Sequence, residues 1–123
     1  MEKEFIPYEQ ALKLKELGFD EECFGIYGKN GEELYKVVKD KFDSIDDLHF
    51  IKAPLYQQAF RWFREKYGYD VTIKKCTPSE YKFEIEQLFV KGDSYYFIDF
   101  PFTSYEEAEL ECLKKLIELC KNN

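Results

Sequence analysis

The chain has 123 residues, a net charge of −7 at pH 7, and a composition that is 45% hydrophobic and 19% aromatic. This length suits one domain with its own apolar core, and the negative charge disfavours nonspecific binding to nucleic acid. The sequence contains no apolar run of membrane-spanning length and no signal peptide at its polar N-terminus, so we expect a cytoplasmic protein that does not engage a membrane.

Turn and cap residues divide the chain into three helices and five strands. Pro7 and Pro54 suit first helical turns, and Gly18 and Gly68 suit the positions just after a helix. Asn30-Gly31 favours a tight hairpin turn. The predicted elements are, in chain order, a helix over about 7–17, strands over 23–28 and 33–38, a charged loop over 39–47, a helix over 54–67, strands over 69–76, 81–86 and 94–100, and a helix from 103 or 104 to about 121. The order α-β-β-α-β-β-β-α predicts a single α+β domain over 1–123, with helices covering an antiparallel sheet.

The strand over 94–100 is apolar on both of its faces. This pattern is typical of a strand in the middle of a sheet or under a helix. Tyr95 and Tyr96 begin it, and alternation sends one ring to each face. We expect one of the two rings to be exposed and available to a partner. The alternative, which is the commoner explanation of such tyrosines, is core packing or a cross-strand pair.

The second helix carries the densest aromatic segment of the chain. It contains the only tryptophan, Trp62, and the only two arginines, Arg61 and Arg64. Because the arginines lie one turn apart on the polar side with Gln57 and Gln58, the spacing suggests an anion clamp. The alternative is an ordinary helix face held by ion pairs with neighbouring acids.

Glu109 interrupts the apolar stripe of the third helix. A carboxylate among apolar neighbours must be paired, neutralised or functional. Pairing with Arg64 would join this residue to the clamp. The alternative is that Glu109 reaches water or bonds a tyrosine hydroxyl or a basic side chain.

The sequence offers no pattern that predicts catalysis, a metal or a cofactor. His49, the only histidine, has no ligand spacing around it, and the aspartates over 40–47 lack the spacing of an EF-hand loop. The four cysteines, Cys23, Cys76, Cys112 and Cys120, form no CxxC motif and predict free thiols. No phosphate-binding loop or nucleophile motif occurs. We therefore predict a protein that is not an enzyme, with no metal and no cofactor.

Four segments together are similar to known sequences. Phe5–Gly25 (FIPYEQALKLKELGFDEECFG), Ala53–Gly68 (APLYQQAFRWFREKYG), the strand pair after it and Phe102–Lys121 (FTSYEEAELECLKKLIELCK) resemble uncharacterised small proteins of Bacteroidetes and their tailed phages. The layout also resembles the phage ABA sandwich family. The resemblance implies a protein acting in a bacterial host cell, with a host-takeover or anti-defence role.

Two functions are consistent with these observations. The first is a non-enzymatic interaction protein, monomeric or homodimeric, that binds a host protein through an aromatic and acidic surface. The second is a binder that sequesters a small nucleotide signal through Arg61, Arg64 and aromatic side chains. The first predicts an exposed apolar patch rimmed by acids, and the second predicts a concave site that contains an arginine.

Overall fold

The structure, a computed structural model, describes residues 4–28, 34–36, 51–88 and 94–121. The chain divides into two compact units, Met1–Gln58 and Ala59–Asn123. The described elements are α1 (Tyr8–Glu16), β1 (Gly25–Tyr27), β2 (Leu34–Lys36), β3 (Ile51–Ala53), α2 (Tyr56–Tyr67), β4 (Tyr69–Thr77), β5 (Glu80–Leu88), β6 (Ser94–Phe102) and α3 (Tyr105–Lys121).

The predicted α+β class is confirmed, and the predicted helices and strands occur in the predicted order. One further strand, β3, was not predicted: like β1 and β2 it has only three residues, but no Asn-Gly turn signal marks it. The described strands form two antiparallel sheets of three strands each, with orders β2-β1-β3 and β4-β5-β6. The prediction of a single sheet missed this division, since strand pairing is a long-range property.

In the first unit, β1 is the central strand and the N-terminal segment lies against the residues after β3. The Ile6 amide donates to the Pro54 carbonyl at 3.0 Å, and the Tyr27 hydroxyl donates to the Ile6 carbonyl at 2.6 Å. Tyr27 of β1 pairs with Leu34 of β2, which is the register that a turn at Asn30-Gly31 requires. That predicted turn itself lies outside the described residues.

In the second unit, α3 packs on one face of the β4-β5-β6 sheet. Its apolar stripe is buried, as the helical periodicity predicts; the buried residues are Ala108, Cys112, Leu113, Leu116, Ile117 and Cys120. The opposing centre of the sheet is Phe83 and Ile85 of β5, both fully buried. The Phe83 ring contacts the rings of Phe97 and Phe102 at centroid distances of 5.9 and 5.7 Å. This aromatic layer on the central strand is the core of the unit.

The C-terminal ends of α1 and α2 follow the predicted cap chemistry, whereas Pro7 and Pro54 lie before the first helical turns in which they were predicted, since α1 begins at Tyr8 and α2 at Tyr56. Gly18 and Gly68 have positive φ values of 101° and 78°, as expected for residues that stop α1 and α2. At the start of α3 the sequence left two capping residues open. The structure assigns the cap to Ser104, whose Oγ accepts the Glu107 amide at 3.1 Å, while the Thr103 hydroxyl donates to the Glu107 carboxylate at 2.7 Å.

Of the two placements expected for the strand over 94–100, the central one is wrong, while the helix-covered one holds for one face. β5 is the central strand, and β6 forms one edge of the sheet. Only one face of β6 is covered: Phe97 lies under α3, with the Lys115 ammonium 4.4 Å from its ring centroid. The apolar residues on the other face of β6 are therefore exposed. Apolar residues on both faces of this strand do not indicate that both faces are buried.

Gly25 marks a close approach in the first unit. A Cβ at this position would lie 2.8 Å from Cε1 of the buried Phe5 ring and 3.1 Å from Cδ1 of Leu34. We expect Gly25→Ala to lower the free energy of unfolding by about 1–3 kcal/mol, as overpacking a close contact does. Chemical denaturation measures the change. A Phe5→Leu, Gly25→Ala double variant that restores part of the loss would locate the strain at the ring, and an unchanged stability of Gly25→Ala would contradict the close contact.

Candidate functional site

The β4-β5-β6 sheet has one face that α3 does not cover. Alternation along β6 places Tyr96 and Ile98 on this open face, and Phe100 follows where the pairing of β6 with β5 shifts register. The three side chains are 54%, 36% and 58% exposed, and we call them the β6 stripe. Single exposed apolar residues are ordinary, but three within five positions of one strand form an exposed apolar cluster.

Charged side chains lie beside the β6 stripe on the open face. Glu84 of β5, opposite Ile98, accepts a short hydrogen bond from the Tyr96 hydroxyl and lies 3.8 and 3.9 Å from the ammonium groups of Lys74 and Lys82. The Tyr96 hydrogen bond, and then the two lysines, lower the pKa of the Glu84 carboxyl. Glu84 is thus internally neutralised, and it fixes the orientation of the Tyr96 ring.

A second row on the same face is not neutralised in this way. Asp70 of β4 lies directly opposite Glu86 of β5, and Glu86 lies opposite Tyr96. Neither carboxylate makes an ion pair with any residue that the structure describes. Like charges directly opposite in a sheet repel each other, so this row favours a cation brought by a partner.

The outer edge of β6 is poorly suited to accepting another strand. The Phe100 amide donates to the carboxylate of its neighbour Asp99 at 2.9 Å, and Pro101 has no amide hydrogen. Occupied or missing backbone donors blunt a sheet edge. Addition of a further strand at this edge is therefore disfavoured.

The predicted anion clamp on α2 is not assembled as one site. Gln57 is exposed, whereas the Gln58 amide donates to the Glu22 carbonyl at 2.7 Å and to the Glu21 carboxylate at 3.3 Å. Both Arg61 and Arg64 are exposed, and Arg64 lines a pocket whose lining residues do not include Arg61. A helical face diverges over two turns, so residues that share it need not share a ligand.

Trp62 belongs to the core and not to a binding surface. It is buried, and its ring meets those of Phe63 and Tyr67 edge-on at 5.1 and 5.7 Å. The Lys66 ammonium lies 4.8 Å from its centroid. The ring is thus buried and leaves no face for a ligand.

A small pocket occurs within the second unit, between α2, β4 and the start of α3. Its volume is about 110 Å³, and its lining residues are Phe60, Arg64, Tyr69, Val71, Ile73 and Tyr105. Burial, and then the negative charge of Glu109, raise the pKa of the Tyr105 hydroxyl. The pocket therefore has an apolar wall, one guanidinium-bearing residue and a tyrosine that keeps its proton.

The remaining candidate residues fall into separate environments. Tyr95 is half-buried, with its ring 6.2 Å from that of Tyr69, whereas Tyr96 is exposed, so the expected division of the two rings is confirmed. Glu109 is half-buried and interacts with another group. Among the described residues, however, no ion pair joins Glu109 to Arg64. Ile98 and Phe100 were not predicted as site residues, because apolar residues on both faces of a strand indicate burial unless its edge position is known.

No metal centre is found among the described residues, since no three of their His, Cys, Asp or Glu side chains group together. His49 and the aspartates over 40–47 lie outside the residues that the structure describes. Helices long and apolar enough to cross a membrane are likewise missing from the described part of the chain. A scan against protein-family models and searches of curated proteins and of solved structures found no match.

The Tyr96 hydroxyl is expected to control the acidity of Glu84. Tyr96→Phe removes the hydrogen bond that most lowers this pKa, so the Glu84 pKa should rise toward its ordinary value. A carboxyl whose pKa is lower in the folded chain than in the unfolded chain stabilises the fold at pH values above its unfolded-state pKa. This stabilisation is lost as the pH falls through the folded-state pKa. The variant should therefore lose less stability on acidification.

Carboxyl carbon shifts followed by NMR across a pH titration measure this effect. Tyr95→Phe is the matched control, because it removes a hydroxyl from the adjacent residue on the other face. A Glu84 pKa that is the same in wild type and Tyr96→Phe would contradict the hydrogen bond.

The four cysteines are free, as predicted, and their environments predict an order of reactivity. Cys76 is exposed, while burial raises the pKa of the Cys23 thiol to about 12 and that of Cys120 to about 11, and raises that of Cys112 further. Since the thiolate is the reactive form, iodoacetamide should modify Cys76 first and Cys112 only on unfolding. Peptide mass spectrometry over time measures the order, and fast native labelling of Cys112 would contradict the packing of α3.

Proposed function

We propose that the chain is a non-enzymatic interaction protein that binds a partner protein through the open face of the β4-β5-β6 sheet. The observation that supports this most strongly is the exposed β6 stripe of Tyr96, Ile98 and Phe100. Aromatic side chains on a rigid element make good interface anchors, because they bury much area and lose little conformational freedom.

The charges around the stripe define the chemistry of the partner. Glu84 is already paired with two lysines, whereas Asp70 and Glu86 repel each other beside Tyr96. A partner surface with an apolar centre and a Lys or Arg at its rim would bury the stripe and relieve this repulsion. Electrostatic attraction of this kind is screened by salt.

Our proposal places this partner in a bacterial cell, as a host protein bound by a phage-encoded product in host takeover or in countering host defence. The support for this part is the sequence resemblance to small proteins of Bacteroidetes and their tailed phages. The surface described here is consistent with it, because a small domain with a rigid apolar strand face can occupy a host protein without any chemistry of its own.

A second candidate function, sequestration of a small nucleotide signal, is favoured by the single observation that Arg64 lines a pocket with two tyrosines. Its volume argues against this candidate, since 110 Å³ is well below the roughly 300–1,000 Å³ that enclose drug-sized ligands. A thermal shift with cyclic or adenosine-containing nucleotides that disappears in Arg61→Ala, Arg64→Ala would favour it over the interaction protein.

Replacing the stripe should abolish partner capture without unfolding the chain. Ile98→Thr with Phe100→Thr removes apolar area but keeps residues with good strand propensity. We expect capture of the specific partner from a bacterial host lysate to fall by about tenfold or more, since truncating an interface anchor costs about 1–2 kcal/mol or more. Quantitative mass spectrometry of the captured proteins measures the change.

Phe24→Thr is the matched control, because Phe24 is 67% exposed and lies in the other unit. It should leave capture unchanged, and circular dichroism should show that all variants fold. Capture should also decrease as salt rises. Equal capture by wild type and the double variant, or no stripe-dependent partner at all, would overturn the proposal.

A further inference from the structure

The pocket between α2, β4 and α3 lies on the helix-covered side of the sheet, away from the β6 stripe. Its β4 wall is formed by Tyr69, Val71 and Ile73, which alternate with the open-face residues of the same strand. It is thus independent of the surface to which the partner is assigned above.

The size of the pocket sets the size of its occupant. A dry apolar cavity of about 150 Å³ holds a molecule such as benzene, so 110 Å³ accommodates one branched aliphatic side chain. Phe60, Val71 and Ile73 supply the apolar lining for such a group. A larger ligand could place only one of its groups here.

Arg64 adds a requirement for negative charge. Of the six lining residues it alone is charged, and within the described part of the chain no ion pair or hydrogen bond engages its side chain. Its carbonyl accepts the Gly68 amide, but its side chain is exposed, so the guanidinium can meet a ligand without first breaking a contact. A guanidinium matches the geometry of a carboxylate, which it can bind through two parallel hydrogen bonds.

Tyr105 provides a second polar group at the same pocket. Because its hydroxyl keeps its proton at neutral pH, it can donate a hydrogen bond to an anion. Glu109 and Glu106, the two acids whose negative charges raise the pKa of this hydroxyl, are not among the lining residues. The pocket therefore presents donors and no carboxylate of its own.

From these features we infer that the pocket binds the C-terminal residue of a polypeptide, with a branched aliphatic side chain against Val71 and Ile73 and the α-carboxylate on Arg64. A C-terminal residue carries its side chain and its carboxylate on one carbon atom. The pocket offers a matching pair of features, an apolar lining and the Arg64 guanidinium, within a space the size of one residue. An internal leucine lacks the charge, and a glutamate lacks the apolar group.

NMR titration with N-acetyl-L-leucine tests the inference directly, with N-acetyl-L-leucinamide as the uncharged probe. We expect the acid to shift the signals of Val71, Ile73 and Tyr105 with a Kd of about 1–10 mM, a range typical of ligands of this size. The amide should bind about tenfold more weakly or worse, since a charge-assisted hydrogen bond is lost. Arg64→Gln should weaken binding of the acid by a similar factor.

Arg61→Gln is the matched control, one turn away on the same helix and outside the pocket lining. It should leave the titration unchanged. Shifts that are equal for acid and amide, binding unaffected by Arg64→Gln, or no shifts at the pocket would each overturn the inference. Because Ile98→Thr with Phe100→Thr should still bind the acid, a failure here is distinguishable from a failure of the proposed function.

Discussion

Burial of one face of the β4-β5-β6 sheet under α3 is the constraint on which the second unit depends. Phe83 and Ile85 on the central strand are fully buried against the apolar stripe of the helix. A three-stranded antiparallel sheet has two faces, and one amphipathic helix covers one of them. The open face is therefore a direct consequence of how the core is made, and its side chains are free of any packing role.

The β6 stripe follows from this one-sided core. The inward residues of β6 contribute to the aromatic layer around Phe83, while Tyr96 and Ile98 face outward on the same strand and Phe100 after them is exposed. The Glu84 cluster holds the Tyr96 ring in place, and Asp99 and Pro101 make the strand edge a poor template for further pairing. A rigid apolar face with a blunted edge favours binding through side chains over aggregation.

Local patterns predicted most of the elements but not how they assemble. Caps, turn residues and alternation located the three helices and five strands, because these signals act within a few residues of the chain. β3 has no local turn signal of the kind that marked β1 and β2, and the division into two sheets depends on pairings such as Gly25 with Ala53. The edge position of β6 is equally non-local, which is why an apolar strand suggested burial. On α2, helical periodicity correctly separated the buried and exposed faces. It could not show that Gln58 bonds Glu21 and Glu22 while Arg64 lines a pocket.

The central claim is that the open face of the β4-β5-β6 sheet is exposed in the free chain and covered by a partner. Hydroxyl-radical footprinting of the free chain and of the chain on its captured partner tests this claim most directly. The account predicts that Tyr96 and Phe100 are oxidised in the free chain and protected in the complex, while Phe24 is oxidised in both. Protection of Tyr96 and Phe100 in the free monomer, or their continued oxidation in the complex, would contradict it.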